Sequence, residues 1–544
     1  MVITIAGFFS FSFTDDYFEI SRNMDIFATL FRELNIYYVD EVKPGDLMKK
    51  GIDSMLESLD PYTNYIPESE VEDYRFMTTG QYGGIGALIG QKGDNVVITD
   101  PYEGYPAQKA DLRAGDVILE IDGKPIKGKK YDEISKILKG QPKTPVKLLV
   151  KREGEPAPIE KTVMRDEIKI NSVPYFGMLD NEIGYIRLTG FTDNAGGEVR
   201  DALMELKSKN NVKSLVLDLR GNPGGLLNEA VNITNIFVNK GVDVVNTKGK
   251  VKEWDKTYKA LNNPVDVDIP LVVLVNSGSA SASEIVSGSI QDLDRGIIIG
   301  QRTFGKGLVQ TTRPLSYNAQ MKVTTAKYYI PSGRCIQALD YTHRNEDGSV
   351  GKVPDSLVSE FKTKNGRVVY DGGGVSPDFT TETQYLSNIA QSLLVKQLIF
   401  DYATLYRKNP TISSARSYRI SEQEYSDFIT WLGDKEYDYT TKSEKSFEEL
   451  KEIATKEKYY DGMKDQFDAL KKSLMHDKQE DLQKNKEEIK QLLQDEIASR
   501  YYYQKGRIEA SFDFDPEITK ATEALKNKQV FDAIMNRKPE ALKK

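Results

Sequence analysis

Residues 269–310 read IPLVVLVNSGSASASEIVSGSIQDLDRGIIIGQRTFGKGLVQ, and the texture changes three times along them. Leu271 to Val275 is an unbroken apolar run of strand length. Small residues around Ser279, Ser281 and Ser283 end it, a helical pattern opens at Ala282, and a glycine-bounded loop carrying Lys306 brings the chain back. A buried strand, a tight small-residue turn and a helix make one unit of a layered α/β core.

The flanking sequence repeats that unit. IGYIRLTGF reads as a strand, 196–209 as a helix, SLVLDLR as a second strand and 226–238 as a second helix, all before the LVVLV strand. This β-α-β alternation over 169–378 predicts a mostly parallel sheet with helices layered on it. Residues 14–78 have a helical pattern instead. Ile26, Leu30, Leu34 and Tyr37 make one apolar stripe, Leu47, Ile52, Met55 and Leu59 a second, and both are expected to pack into a core. The charged stretch 385–544 is also helical in pattern. Its apolar face of Leu482, Ile489, Leu492, Leu493 and Ile497 fits either packing within the chain or a homodimer.

Composition narrows the chemistry. A chain of 544 residues exceeds the roughly 250–300 at which single cores stop growing, so several domains are expected. A net charge of −8, with 39% hydrophobic and 29% charged residues, gives no footprint for nucleic acid. Cys335 is the only cysteine, and His343 and His476 are the only histidines. An internal disulfide and a cysteine zinc site are thereby excluded, a histidine-rich metal site is disfavoured, and serine chemistry must look beyond histidine for its base. No metal or cofactor is expected. The opening MVITIAGFFSFSF resembles the apolar part of an export signal over residues 1–13, although the usual basic start is missing. That points to the cell envelope or periplasm, and the run falls short of the ~20 residues that span a bilayer.

Ser281 and Lys306 each have a plain structural reading. Ser281-Ala282-Ser283-Glu284 is a capping box, whose serine and glutamate satisfy the first amides of a helix. The same geometry sets a serine at the positive end of a helix, where backbone N–H groups stabilise a developing oxyanion. The G-x-S-x-G elbow of histidine-based hydrolases is absent. Residues 300–307 approach a phosphate-binding loop, but Gly307 stands where Ser or Thr must hold magnesium, and extended chain follows instead of a helix. A lysine acts as general base only when its amine is neutral, which burial favours. Phe304, Leu308 and Val309 are the expected apolar neighbours, and in an extended segment Lys306, Leu308 and Gln310 would share one face.

Residues 79–166 carry GQYGGIGALIG, NVVITD and PYEGYPAQKADLRAGDVILEIDGKPI, then a helix-like YDEISKILKG and a last strand VKLLVKR. In order and spacing this resembles a PDZ domain. The resemblance implies capture of a peptide C-terminus as an added strand, with Gly84, Ile85, Gly86 and Ala87 as the nest for its carboxylate.

SGSASASEIVSGSIQD, GQRTFGKGLVQ and DLRGNPGG, together with the PDZ unit upstream, resemble the C-terminal processing, or tail-specific, serine peptidases. The resemblance implies a multidomain α/β chain with a layered, crotonase-like catalytic core over 167–384, a PDZ domain, an N-terminal helical segment and a C-terminal helical extension. It further implies Ser281 as nucleophile, Lys306 as base and Gln310 as the residue orienting the lysine. The oxyanion would be held by the backbone of Ala282 with that of Gly224 or Gly225. The expected substrates are proteins with free, apolar C-terminal tails, and the PDZ domain is expected to bind those tails, with gating of activity as a further expectation. The competing reading is an inactive PDZ adaptor.

Overall fold

A computed structural model describes residues 11–407, 411–433, 435–474 and 477–535. The chain gathers into two compact units, one of residues up to Val71 with 310–325, the other of Glu72–Val309 with the chain from Ala326 onward.

The first unit holds the helices Phe11–Tyr37 and Pro44–Glu57. Pro44 starts the second helix, where its missing N–H costs nothing. Asp60 then turns the chain: its Oδ1 accepts the N–H groups of Tyr62 and Thr63 at 2.8 and 2.9 Å. The strand Asn64–Ile66 pairs antiparallel with residues 320–322, in the second arm of the 310–325 hairpin. Here the sequence expectation fails, because Ile26, Leu30, Tyr37, Met55 and Leu59 are exposed and of the second helix only Leu56 is buried. Two helices and a hairpin offer too little second layer to cover both stripes.

In the second unit, residues 87–164 form an antiparallel sheet in the order Ala87–Lys92, Asn95–Pro101, Val117–Ile121, Pro145–Lys151, Ile159–Met164, with the helix Tyr131–Leu138 closing over it. Ile98, Ile118, Ile134 and Leu148 make its core. The GDVI motif has a structural purpose: the buried Asp116 accepts the Arg113 N–H at 2.9 Å and Nε and Nη2 of Arg152, each at 2.8 Å. Ala87–Lys92 is the edge strand, beside the Tyr131–Leu138 helix.

The second layer of the fold is a six-stranded sheet in the order Tyr175–Met178, Ile183–Arg187, Ser214–Asp218, Leu271–Val275, Ile297–Gly300, Phe379–Thr380. Its first pair is antiparallel and the rest are parallel. On one face Leu215, Leu217, Val273 and Ile298 pack against the helices Ala195–Asn210, Leu227–Phe237 and Ala282–Asp292. On the other, Tyr185, Val216, Val272, Leu274, Ile297 and Ile299 meet Phe512, Ile518, Ala521 and Ala524 from the C-terminal helices. Covering on both faces is why these strands read as continuous apolar runs. The apolar face of Leu482, Ile489, Leu493 and Ile497 packs within the chain against Ile389, Leu393, Phe428 and Leu432. A further sheet joins Asp243–Gly249 to Lys256–Lys259 and to residues 326–329. Among the described residues, no helix is long and apolar enough to cross a membrane.

Candidate active site

The segment after Leu271–Val275 is held by its own small polar groups. Ser279 Oγ donates to Leu219 O at 2.8 Å and accepts the Asn276 N–H at 3.0 Å. Ser283 donates to Asn222 O, Ser287 to Ser283 O and Ser289 to Val244 O, and all four serines are buried. Ser281 differs in being only partly buried and in its backbone, with φ 55° and ψ −111°. Non-glycine residues avoid that region, and where surrounding structure enforces it the strain commonly marks a working site.

The turn 220–225 is fastened to this segment through Asn222. Its side-chain amide donates to Leu188 O at 3.0 Å, its Oδ1 accepts the Gly224 N–H at 2.9 Å, and its carbonyl accepts the Ala280 N–H at 3.0 Å. Gly224 has φ +100°, and a Cβ there would come within 2.7 Å of Ala280 O and 2.9 Å of Ala282 N. Glycine is therefore required for the turn to lie against the Ser281–Ala282 backbone.

Lys306 sits in the loop after Ile297–Gly300, half-buried, and two side chains tie that loop to Ser281. The fully buried Glu284 accepts the Ser281 N–H at 2.8 Å and the Lys306 N–H at 2.9 Å through Oε2, and Thr303 Oγ1 at 2.5 Å and the Gly305 N–H at 2.7 Å through Oε1. The Tyr328 hydroxyl contacts the carbonyls of the same two residues, Lys306 O at 2.6 Å and Ser281 O at 3.1 Å. Burial pushes the Glu284 carboxyl up to about 7, against the pull of its four hydrogen bonds. The carboxylate half of the capping box is thus present, but it serves a loop 22 residues away as well as the helix start.

Sequence reasoning missed Tyr328 altogether and saw Glu284 only as a cap. The signal for Glu284 was a glutamate on the inward side of a helix whose every residue is buried. Two expectations need correction. The strand begins at Leu308, so Lys306 and Gly307 precede it and the shared-face argument does not reach Lys306. Phe304 is 49% exposed rather than packed into an apolar surround, whereas Leu308 is buried. Gln310 belongs to the first compact unit, where its amide donates to Thr324 Oγ1 at 3.1 Å.

Gly84, Ile85, Gly86 and Ala87 form the bend between the strands Gln81–Gly84 and Ala87–Lys92, with Gly86 at φ +73°. The bend opens on a cavity of about 160 Å³ lined by Ile85, Leu88, Tyr82, Tyr102, Tyr131 and Leu138 among others. Burial raises the Tyr82 hydroxyl to about 12, so it stays a neutral hydrogen-bonding group. Among the described residues no group of three or more His, Cys, Asp or Glu is arranged to hold a metal ion.

Comparison with known proteins adds to this geometry. The model of Peptidase family S41 matches residues 182–343, that of the PDZ domain 97–152, and that of "Probable PDZ-protease, C-terminal helical domain" 389–525. The chain is 38% identical over 319 residues to the carboxy-terminal-processing protease of Bartonella bacilliformis, covering 58% of this chain and 73% of that one. It is 38% identical over 317 residues to a probable CtpA-like serine protease of Staphylococcus aureus, covering 58% of this chain and 62% of that one. Among solved structures, the photosystem II D1 C-terminal processing protease is similar at 31% identity and a TM-score of 0.36, over 65% of this chain and 92% of that one.

Proposed function

The chain belongs to peptidase family S41 as a serine-type carboxy-terminal-processing peptidase, and from that premise we propose an endopeptidase that uses a Ser281–Lys306 dyad to cut near the C-terminal tails of proteins. The observation that carries the dyad is the double tether: Glu284 and Tyr328 each bind the backbone of both Ser281 and Lys306. Two loops 25 residues apart in sequence (306 − 281) are fixed to common partners, which is what a nucleophile and its base require.

In this reading the neutral Lys306 amine takes the proton as Ser281 Oγ attacks the scissile carbonyl. The oxyanion is met by the N–H groups of Ala282 and Gly225; the Gly224 N–H is already spent on Asn222, which favours Gly225. Lys306 returns the proton to the leaving amine as the C–N bond breaks and the acyl-enzyme forms. Water then attacks the ester with its proton passing to Lys306, and Ser281 leaves with that proton restored. The Gly84–Ala87 bend receives the substrate carboxylate, the free edge of Ala87–Lys92 adds the tail as a strand, and the adjoining cavity takes an apolar terminal side chain. The apolar N-terminal run, mostly outside the described residues, supports action in the cell envelope.

Covalent capture tests the dyad. A fluorophosphonate should add one adduct to the intact chain, mapped to Ser281, with none in Ser281→Ala and labelling at least tenfold slower in Lys306→Ala. Adduct formation independent of both residues would overturn the dyad, and no adduct together with tight binding of tail peptides would favour the inactive adaptor.

A further inference from the structure

The 220–225 turn is held from two sides. Asn222 fixes it to the Ser281 segment, and Arg220, its first residue, is fixed to the C-terminal helical region. Arg220 donates to Asp218 from its backbone N–H, Nε and Nη2, at 2.9, 3.0 and 2.6 Å. Its remaining arm, Nη1, reaches Glu517 Oε2 at 2.5 Å and Asp515 Oδ2 at 2.7 Å. Asp218 also accepts Tyr185 Oη at 2.6 Å and is bonded by Arg187, whose second arm donates to Arg220 O at 2.8 Å.

The two C-terminal carboxylates are themselves rigidly placed. Asp515 caps the Pro516–Lys526 helix, accepting the N–H groups of Glu517 and Ile518 at 3.0 and 3.1 Å. Glu517 accepts Thr381 Oγ1 at 2.9 Å through its other oxygen. Ile518, Ala521 and Ala524 of the same helix lie in the core against the catalytic sheet. The side chains of Arg220, Asp515 and Glu517 are 12%, 16% and 12% exposed, so the pairing is largely buried, at the wall of a cavity of about 570 Å³.

A buried ion pair is weak evidence for stability, because desolvation offsets much of the attraction; its better-attested use is to fix one arrangement. What it fixes here is the turn whose Gly224 lies against Ala282. We infer that Glu517, with Asp515, is a positioning residue for the peptidase: it sets the 220–225 turn through Arg220, so the C-terminal helical region is part of the machinery that stabilises the oxyanion. The inference rests on the peptidase reading for its kinetic consequence only. A single misplaced oxyanion donor costs about 10²–10³ in kcat, which bounds the expected effect.

The test uses the full chain in four forms: wild type, Glu517→Ala, Glu517→Gln and Lys520→Ala, the last a side chain of the same helix bonded to Glu523 and set over the Phe379 ring. Glu517→Ala should lower kcat on a tail-bearing substrate roughly 10- to 100-fold with KM within threefold, Glu517→Gln should fall between it and wild type, and Lys520→Ala should match wild type. Amide exchange should quicken in Glu517→Ala at Gly221, held by Asn276 Oδ1, and at Gly224, held by Asn222 Oδ1, while the Ala282–Asp292 helix keeps its protection. Unchanged kcat and unchanged exchange in Glu517→Ala would overturn the inference, as would an equal loss in Lys520→Ala. Should wild type prove no more active than Ser281→Ala, the peptidase reading fails, and exchange at Gly221 and Gly224 still decides whether Glu517 sets the turn.

Discussion

Glu284 joins the stability of the site to its chemistry with opposite signs. Its two oxygens accept four hydrogen bonds, three of them from the backbone of Ser281, Gly305 and Lys306, and only the ionised form can accept all four. Burial raises its pKa from the usual 4.5 to about 7. A raised carboxyl contributes stability fully below the unfolded pKa and loses it as pH rises through the folded one, so the ionised site costs about 3 kcal/mol by pH 8. Activity should run the other way, falling as pH drops through about 7 and one oxygen becomes a donor facing an N–H. Glu284→Gln should lower kcat at pH 8 at least tenfold with KM little changed. In denaturant melts from pH 5 to pH 8 it should lose the share of pH dependence that wild type owes to this group. Equal slopes in the two proteins would refute the coupling. The sequence singles out Ser281 and Lys306 by type and spacing, whereas the linkage through Glu284 and Tyr328 was not legible there, since a cap and a strand tyrosine each have a sufficient local reading.

At the scale of elements, the proposed peptide site rests on backbone geometry, that of the edge strand Ala87–Lys92 and the bend before it. A Cβ on Gly86 would meet Tyr105 Cβ at 2.6 Å, at a φ of +73° that side chains resist. Gly86→Ala should weaken binding of an apolar-tailed peptide at least tenfold in fluorescence anisotropy, and amidating the peptide C-terminus should weaken binding to wild type by a comparable factor. Indifference to amidation would remove the carboxylate nest from the account. The parallel strands of the core were legible for a physical reason: covered on both faces, LVVLV and SLVLD have no polar side to blur them. Asp243–Gly249 was not, because DVVNTKG is buried at Val244, Val245 and Thr247 without regular alternation.

For the whole molecule, the C-terminal helices are the second cover of the catalytic sheet. Removing the chain after Ser511 would bare Val216, Val272, Leu274, Ile297 and Ile299, an apolar face that water would not leave dispersed. A chain ending at Ser511 should aggregate or bind hydrophobic dye strongly during expression and purification, and a soluble, fully active truncation would contradict the packing argument. Sequence pattern assigned these residues to helices but could not say what they cover, since that contact joins segments some 220 to 300 residues apart (518 − 297 and 518 − 216). The N-terminal stripes mark the opposite limit, for periodicity at Ile26, Leu30 and Tyr37 foretold a helix correctly and its burial wrongly.

The central claim is that Ser281 and Lys306 act as one unit, and mass spectrometry of digests tests it most directly. A folded protein bearing an unstructured apolar C-terminal tail is incubated with wild type, Ser281→Ala, Lys306→Ala and the double variant. The account predicts tail fragments with wild type alone, and a residual in the double variant no lower than in either single one, because residues that act together do not add. Fragments persisting in Ser281→Ala or Lys306→Ala at the wild-type rate would contradict it.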